Sequence, residues 1–114
     1  RRRGSMSYDV TVTESVACPA CGHCKGEVFE FSPTYNLRPM FHAAGFCLRD
    51  FNGMTGAEVA PVLTVAVASM EADPAKFRAL DAPNGWGTYD DIMPYLRRFR
   101  DAVSAHPAAS VVVT

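Results

Sequence analysis

The stretch Cys18-Pro19-Ala20-Cys21-Gly22-His23-Cys24 decides how the rest of the chain is expected to fold. It contains three of the four cysteines and one of the three histidines. A Cys-x-x-Cys-Gly turn after an alternating strand is typical of a metal knuckle, because two thiolates can face one ion while glycine lets backbone N–H groups turn toward sulfur. The stretch therefore predicts a hairpin tip at residues 18–24 that binds a structural zinc ion.

The ligand set of this zinc-knuckle-like turn is open at two positions. Cys18 and Cys21 have the required spacing, and the third ligand is Cys24 or His23. The fourth is His42 or Cys47, which follow later in the chain and would fold back over the tip. The alternative without metal is a set of free thiols. A thioredoxin-like redox role is disfavoured, because that motif starts a helix after a strand.

The residues on either side of the cysteines have the patterns of strands. Residues 8–13 alternate Tyr8, Val10 and Val12 with polar neighbours, and residues 26–31 place aromatic residues at two positions. Pro33 ends the second strand, because proline cannot donate to a ladder. Residues 109–114 are rich in valine and predict a third strand beside this hairpin.

Three helices are expected between the second and third strands. The first has Asn36 as its predicted N-cap and ends at Gly45. The second begins with a capping box of Thr55 and Glu58, and the same start pattern recurs at Thr88. The prediction is an α+β fold, with a three-stranded, mainly antiparallel sheet and about three helices on one face.

Length and charge limit the classes of protein that fit. The 114 residues suit a single domain, residues 6–114, and we expect residues 1–5 to be an expression scar. Without the three leading arginines, eight basic residues remain against 12 acidic ones, a net charge of −4, which is opposite to a general nucleic-acid binder. No apolar run approaches the roughly 20 residues that span a bilayer, and we expect a cytoplasmic protein.

Two places are candidates for binding a small molecule. The sequence Asn84-Gly85-Trp86-Gly87 holds the only tryptophan between two glycines, next to the helix start at Thr88. Such a loop can present a ring for stacking beside N–H groups that favour anions. The alternative is a tryptophan that covers the core.

The second place is the start of the first predicted helix. Tyr35 and Asn36 precede Arg38 and His42, which are four residues apart and share a helix face that could meet an anion. The alternative is a capping asparagine followed by solvated side chains. We predict a pocket between this helix start and the Trp86 loop, with Arg38 as the anion contact.

From about Thr34 onward the chain resembles an uncharacterised family of small proteins from phages and prophage-bearing bacteria. The likeness is carried by Tyr35-Asn36 with Pro39-Met40, by Gly53-Met-Thr-Gly56, by Met70-Glu-Ala-Asp-Pro74 and most distinctively by Asn84-Gly-Trp-Gly87. The family has no established activity. The resemblance implies a phage context, and hence the host cytoplasm, without implying a mechanism.

Three functions are carried forward. The first is a non-enzymatic, zinc-stabilised phage-type protein that sequesters a nucleotide-like molecule or otherwise counters a host defence factor. The second is a zinc-ribbon-like protein–protein interaction module, with self-association through the C-terminal edge strand. The third is a small hydrolase that uses Cys47 and His42. We favour binding over catalysis, because the chain lacks the common hydrolase motifs and a phosphate-cradling glycine loop.

Overall fold

Three strands and four helices make up the fold, in the order β1, β2, α1, α2, α3, α4, β3. The computed structural model describes residues 7–16, 24–83, 85 and 87–114. The strands are β1 (Val10–Val16), β2 (Cys24–Phe31) and β3 (Ser110–Val113). The helices are α1 (Arg38–Ala44), α2 (Gly56–Ala72), α3 (Pro74–Arg78) and α4 (Tyr89–Ala105), with 3₁₀ turns at Tyr35–Leu37 and Leu48–Phe51. The predicted α+β class is confirmed, with four helices where about three were expected.

The sheet is antiparallel throughout, with β1 in the centre and the strand order β2-β1-β3. Val10 and Val12 of β1 are buried, and they lie opposite Val113 and Val111 of β3, which are buried as well. Val112, between them, is 41% exposed. Because side chains alternate across a strand, this pattern gives the sheet one buried and one exposed face.

The buried face of the sheet packs against α4. Phe99 of α4 contacts the rings of Phe29 and Phe31, with centroids 6.1 and 5.4 Å apart. The helix α2 packs in turn on α4 and buries Leu63 and Val67. Burying such large side chains stabilises the fold by about 1.5–3 kcal/mol each. No helix in the described part of the chain is long and apolar enough to cross a membrane.

The two long helices begin as the sequence predicts. Thr55 Oγ1 accepts from the Glu58 N–H at 3.3 Å, and the Glu58 carboxylate accepts from the Thr55 N–H at 2.9 Å, completing the capping box. Thr88 Oγ1 accepts from the Asp91 N–H at 3.2 Å and starts α4. Both helices continue through an internal proline. Shared capping chemistry is enough to explain their matching starts.

The start of the first helical segment differs from the prediction. Asn36 is not the N-cap; Thr34 caps the 3₁₀ turn, and its hydroxyl accepts from the Asn36 N–H at 3.4 Å. The helix α1 then follows without a side-chain cap and has Pro39 in its first turn. Proline has no N–H, so one fewer donor needs a cap there. The predicted end at Gly45 is confirmed, since Gly45 has φ +101°.

The outer edge of β3 is occupied by the segment that leads into α2. The Gly53 N–H donates to Val111 O at 2.8 Å, and the Val111 N–H donates to Met54 O at 2.9 Å. The Val113 N–H donates to the side-chain oxygen of Asn52 at 3.0 Å. The strand β3 is therefore hydrogen-bonded on both sides within the chain.

The outer edge of β2 differs from that of β3. Among the described residues no strand pairs with this edge. The register shifts between Val12 and Thr13, so that Val28 is an extra residue on β2. Glu27 and Glu30 are exposed next to this bulge, and the charge of Glu30 raises the pKa of Glu27. Charge and a bulge both discourage strand addition from another chain.

Candidate functional site

A cleft of about 570 Å³ lies between the end of β2 and the start of α4. One wall comes from β2 and the turn that follows it, and the other from the loop before α4 and the first turns of that helix. The described lining residues are Phe31, Ser32, Pro33, Thr34, Leu37, Gly85, Gly87, Thr88, Asp91, Ile92 and Tyr95. The cleft thus borders the predicted loop before α4, whereas its other wall is the end of β2 and not the predicted helix start at Tyr35 and Asn36.

Backbone hydrogen bonds hold the first wall of the cleft. Pro33 ends β2 as predicted, and its carbonyl accepts from the Tyr8 N–H at 2.8 Å. Thr34 pairs with Ser7 in an isolated bridge, and its carbonyl accepts from the Leu37 N–H at 3.1 Å. The chain is therefore fixed at the point where it turns from the sheet into the helices, and Leu37 is buried there.

The second wall depends on the start of α4. The Asp81 carboxylate accepts from the Tyr89 N–H at 2.8 Å, and the Ala82 N–H donates to Gly87 O at 3.2 Å. Gly87 has φ +110°, and a Cβ on it would lie 2.8 Å from Cγ2 of Thr34. The two walls approach each other so closely at Gly87 that a larger residue would not fit there without movement.

The lining chemistry favours a flat, hydrogen-bonding ligand. Phe31 and Tyr95 stack with centroids 6.2 Å apart, and Tyr95 is 45% exposed, which leaves part of it available for contact. Ser32, Thr34 and Thr88 add aliphatic hydroxyl groups to the lining, besides the phenol of Tyr95. Asp91 is the charged residue of the described lining, and its carboxylate accepts no hydrogen bond from a described residue. An aromatic surface, hydroxyls and one carboxylate suit a ring with N–H donors better than a phosphate.

The structure separates the predicted ligand-binding residues. Thr88 lines the cleft, whereas Tyr35, Asn36 and Arg38 follow the first wall and are absent from its described lining. Tyr35 packs edge-on against Tyr8, with centroids 4.6 Å apart. Arg38 is exposed at the first position of α1.

The remaining two predicted ligand-binding residues, Asn84 and Trp86, lie outside the described residues. The glycines on either side of Trp86 both line the cleft. A contact between the tryptophan and a ligand therefore stays a prediction.

Four residues that line the cleft are not indicated as site residues by the sequence. Phe31 and Ile92 have the spacing of core residues and are buried as such. Tyr95 could equally have been a core residue on the apolar stripe of α4, and only packing decides that its neighbour Leu96 is buried instead. Asp91 lies in the first turn of α4, where an acidic residue commonly stabilises a helix start. Its place in the sequence is explained by that role alone and does not indicate that it also lines the cleft.

The predicted metal site falls largely on undescribed parts of the chain. Cys18, Cys21 and His23 lie outside the described residues, and so does the side chain of Cys24. His42 is exposed on α1, while Cys47 is a half-buried free thiol. Within the described ranges no three metal-ligating side chains come together. The zinc knuckle stays a prediction.

No family model matches the chain, and comparisons with curated proteins and with solved structures give no match either. Function is therefore argued from the geometry and chemistry of the cleft.

Proposed function

We propose that this chain is a non-enzymatic binding protein of phage type, stabilised by zinc, that sequesters a nucleotide-like molecule and so counters a host factor. The observation that carries the proposal is the cleft between the end of β2 and the start of α4. It is built from two segments that the fold holds in place by capping and strand pairing.

The size of the cleft suits one nucleoside-sized molecule. Its volume of about 570 Å³ falls within the range of roughly 300–1,000 Å³ that is usual for small-molecule sites. The lining also follows the usual division in such sites, with apolar and aromatic surface and a few polar groups that fix orientation. Phe31, Leu37 and Ile92 supply the apolar surface, and Asp91 supplies the strongest hydrogen-bond acceptor.

The carboxylate of Asp91 determines which part of the ligand enters the cleft. A carboxylate accepts hydrogen bonds and repels phosphate, so the base enters and the phosphate stays outside. A base with neighbouring N–H donors would give a two-pronged contact to the carboxylate. Stacking on Tyr95 and on the predicted platform Trp86 would supply the remaining affinity, at roughly 1–3 kcal/mol per stacked base.

Calorimetric titration with a panel of nucleosides and nucleoside monophosphates tests the proposal. Trp86 is the only tryptophan, so its fluorescence gives a second signal. We expect Asp91→Asn to weaken binding about tenfold, since a hydrogen bond to a charged group is lost. Asp101→Asn, an exposed position near the other end of α4, is the matched control and should change nothing. Absence of heat from every compound, together with an unchanged fluorescence signal, would refute the proposal.

The two other hypotheses gain less from the fold. An interaction module that self-associates through β3 would have to displace the Asn52 and Gly53 hydrogen bonds that already occupy that edge. A hydrolase would need Cys47 and His42 in contact, and no hydrogen bond joins them among the described interactions. Neither observation favours these functions over a small-molecule binder.

A further inference from the structure

The wall of the cleft that α4 supplies carries three functional side chains on one face of the helix. Thr88, Asp91 and Tyr95 follow one another at intervals of three and four residues, and all three line the cleft. Residues at this spacing are neighbours on a helix surface. A hydroxyl, a carboxylate and a phenol ring therefore lie side by side along one wall.

The hydroxyl of Thr88 is available to donate a hydrogen bond to a ligand. Its oxygen already accepts from the Asp91 N–H at 3.2 Å, and this bond caps α4. A threonine hydroxyl has a single hydrogen of its own, and that of Thr88 donates to no described residue. An ionised carboxylate such as that of Asp91 can only accept. The wall thus offers one donor next to two acceptor oxygens.

We propose that the cleft selects guanine among the nucleobases. On its Watson–Crick edge guanine places two donors, N1–H and N2–H₂, side by side and next to the acceptor O6. The two donors match the two oxygens of Asp91, and O6 matches the hydroxyl of Thr88. This inference rests on the proposed function, since it names the ligand class of the same cleft.

The other common bases present the wrong order of groups to this wall. Adenine and cytosine each place a ring-nitrogen acceptor beside their amino donor, and uracil places its one N–H between two carbonyl acceptors. Each of them would turn an acceptor toward the Asp91 carboxylate and leave one of its oxygens without a donor. A polar site that loses a partner in this way rejects a ligand more strongly than an apolar pocket rejects a wrong shape. Asp91 is thus the residue that determines specificity.

The aromatic contact adds affinity without choosing among the bases. Tyr95 and Phe31 stack with an interplanar angle of 7°, and 45% of Tyr95 stays exposed. Every base has an aromatic face that can contact such a ring. We therefore expect Tyr95→Leu to weaken the binding of all nucleosides alike, by about tenfold, and to leave their ranking unchanged. A change of ranking in this variant would contradict the assignment of specificity to Asp91.

Calorimetric titration of the full chain with guanosine, inosine, 1-methylguanosine and adenosine tests the assignment. Inosine lacks the N2 amino group and 1-methylguanosine lacks the N1–H, so we expect each to bind about tenfold more weakly than guanosine. Adenosine should bind more weakly still. Equal affinities for guanosine and adenosine would overturn the guanine assignment and leave the proposed function standing. Binding of no nucleoside at all would refute both.

The variant Asp91→Asn gives a test that a folding defect cannot imitate. Its amide oxygen still accepts from N1–H, but its amide NH₂ group now meets the position of N2, where xanthine has a carbonyl oxygen. We expect guanosine affinity to fall about tenfold and xanthosine affinity to rise roughly fivefold or more above that of the unsubstituted protein. Asp101→Asn, also exposed and on α4, is the matched control and should change neither value. Loss of guanosine binding without a gain for xanthosine would overturn the direct contact with Asp91.

Two substitutions of Thr88 separate its contact with the ligand from its role as the helix cap. Serine keeps both the hydroxyl and the cap, whereas aspartate keeps the cap but replaces the donor with acceptors. We expect Thr88→Ser to stay within about twofold of the unsubstituted protein and Thr88→Asp to weaken guanosine binding about tenfold or more, with an unchanged circular dichroism spectrum. Equal guanosine affinity in both variants would contradict the contact between Thr88 and O6.

Guanosine monophosphate identifies the form in which the base is bound. Affinity equal to that of guanosine assigns the site to the nucleoside, and tighter binding assigns it to the nucleotide. In either case Asp91→Asn should weaken the binding, because the base makes the same contact. Monophosphate binding that this variant leaves unchanged would count against the proposal.

Discussion

The hydroxyl of Tyr89 donates a hydrogen bond to the carbonyl of Met70 at 2.9 Å, in the interior of the protein. In a regular helix this carbonyl would accept from the residue four positions later, but that residue is Pro74, which has no N–H. The first residue of α4 therefore supplies the donor that the end of α2 lacks. This bond ties together the two helices that flank the short helix α3.

Replacing this donor should destabilise the fold. We expect Tyr89→Phe to lower the free energy of unfolding by about 1–2 kcal/mol, because the Met70 carbonyl is left buried without a partner. Urea unfolding monitored by circular dichroism measures the change. Tyr95→Phe is the control, since Tyr95 is 45% exposed and its hydroxyl bonds to no described residue. Equal effects of both variants would show that the Met70 bond contributes nothing specific.

Gly56 allows the start of α2 to lie against the end of α4. A Cβ there would come within 2.3 Å of His106 O and 2.8 Å of Val103 O, which are backbone atoms that cannot rotate away. We expect Gly56→Ala to cost about 3 kcal/mol by overpacking. Gly53→Ala has φ +87° but open space, so backbone strain alone should cost about 1 kcal/mol. Thermal unfolding of the two variants should preserve this order; the reverse order would contradict the close approach.

The glycines on either side of Trp86 should differ in their effect on the cleft. Gly87→Ala would place a methyl group against Thr34 and Leu37 at 2.8 and 3.2 Å, pushing the two walls apart. We expect it to weaken nucleoside binding at least tenfold and to destabilise the fold by about 2 kcal/mol. Gly85→Ala meets open space, so strain of about 1 kcal/mol is expected without a loss of affinity beyond twofold. Similar affinities for the two variants would argue against the cleft as the binding site.

Zinc, if the cysteine turn binds it, should dominate the stability of the hairpin. We expect one zinc ion per chain by elemental analysis, and a chelator should lower the melting temperature by well over 10 °C, because metal binding contributes directly to folding. The Cys18→Ser variant should be unstable already and insensitive to the chelator. Less than stoichiometric zinc, together with an unchanged melting temperature in Cys18→Ser, would exclude the knuckle.

Self-association should depend on pH through the edge of β2. The raised pKa of Glu27 means that this edge begins to lose its negative charge at a higher pH than an isolated glutamate would. We expect light scattering to increase as the pH falls to about 4–5, where glutamates become protonated. The double substitution Glu27→Gln and Glu30→Gln should give the same increase at neutral pH. Association that is independent of both changes would point to another surface.

Local chemistry made much of the fold predictable from the sequence. The alternation of Tyr8, Val10 and Val12 and the capping box at Thr55 each depend on residues that are neighbours in the chain. The short helix α3 is the one beyond the three expected, and it is harder to foresee because Asp73 and Pro74 can end one helix and start another in the same place. The N-cap lies at Thr34 and not at the predicted Asn36, because a 3₁₀ turn shifts the cap without changing the composition of the segment.

The sequence indicates only one of the two walls of the cleft. Turn glycines and a lone tryptophan marked the loop before α4, and the cleft does lie there. Its opposite wall comes from the end of β2, and no local pattern shows which distant segment will face a loop. The approach of Arg49 to Tyr8, with the guanidinium carbon 5.4 Å from the ring centroid, is likewise a product of tertiary packing, since the residues belong to separate segments.

The position of β3 between β1 and the segment before α2 has a consequence for the order of folding. Val10 pairs with Val113, so this part of the sheet closes a loop that includes almost the entire chain. Contacts between such distant residues form slowly, whereas the hairpin and the long helices need only nearer partners. The insertion of β3 is then expected to limit the folding rate. A chain that has collapsed without β3 would leave the central strand open to other molecules.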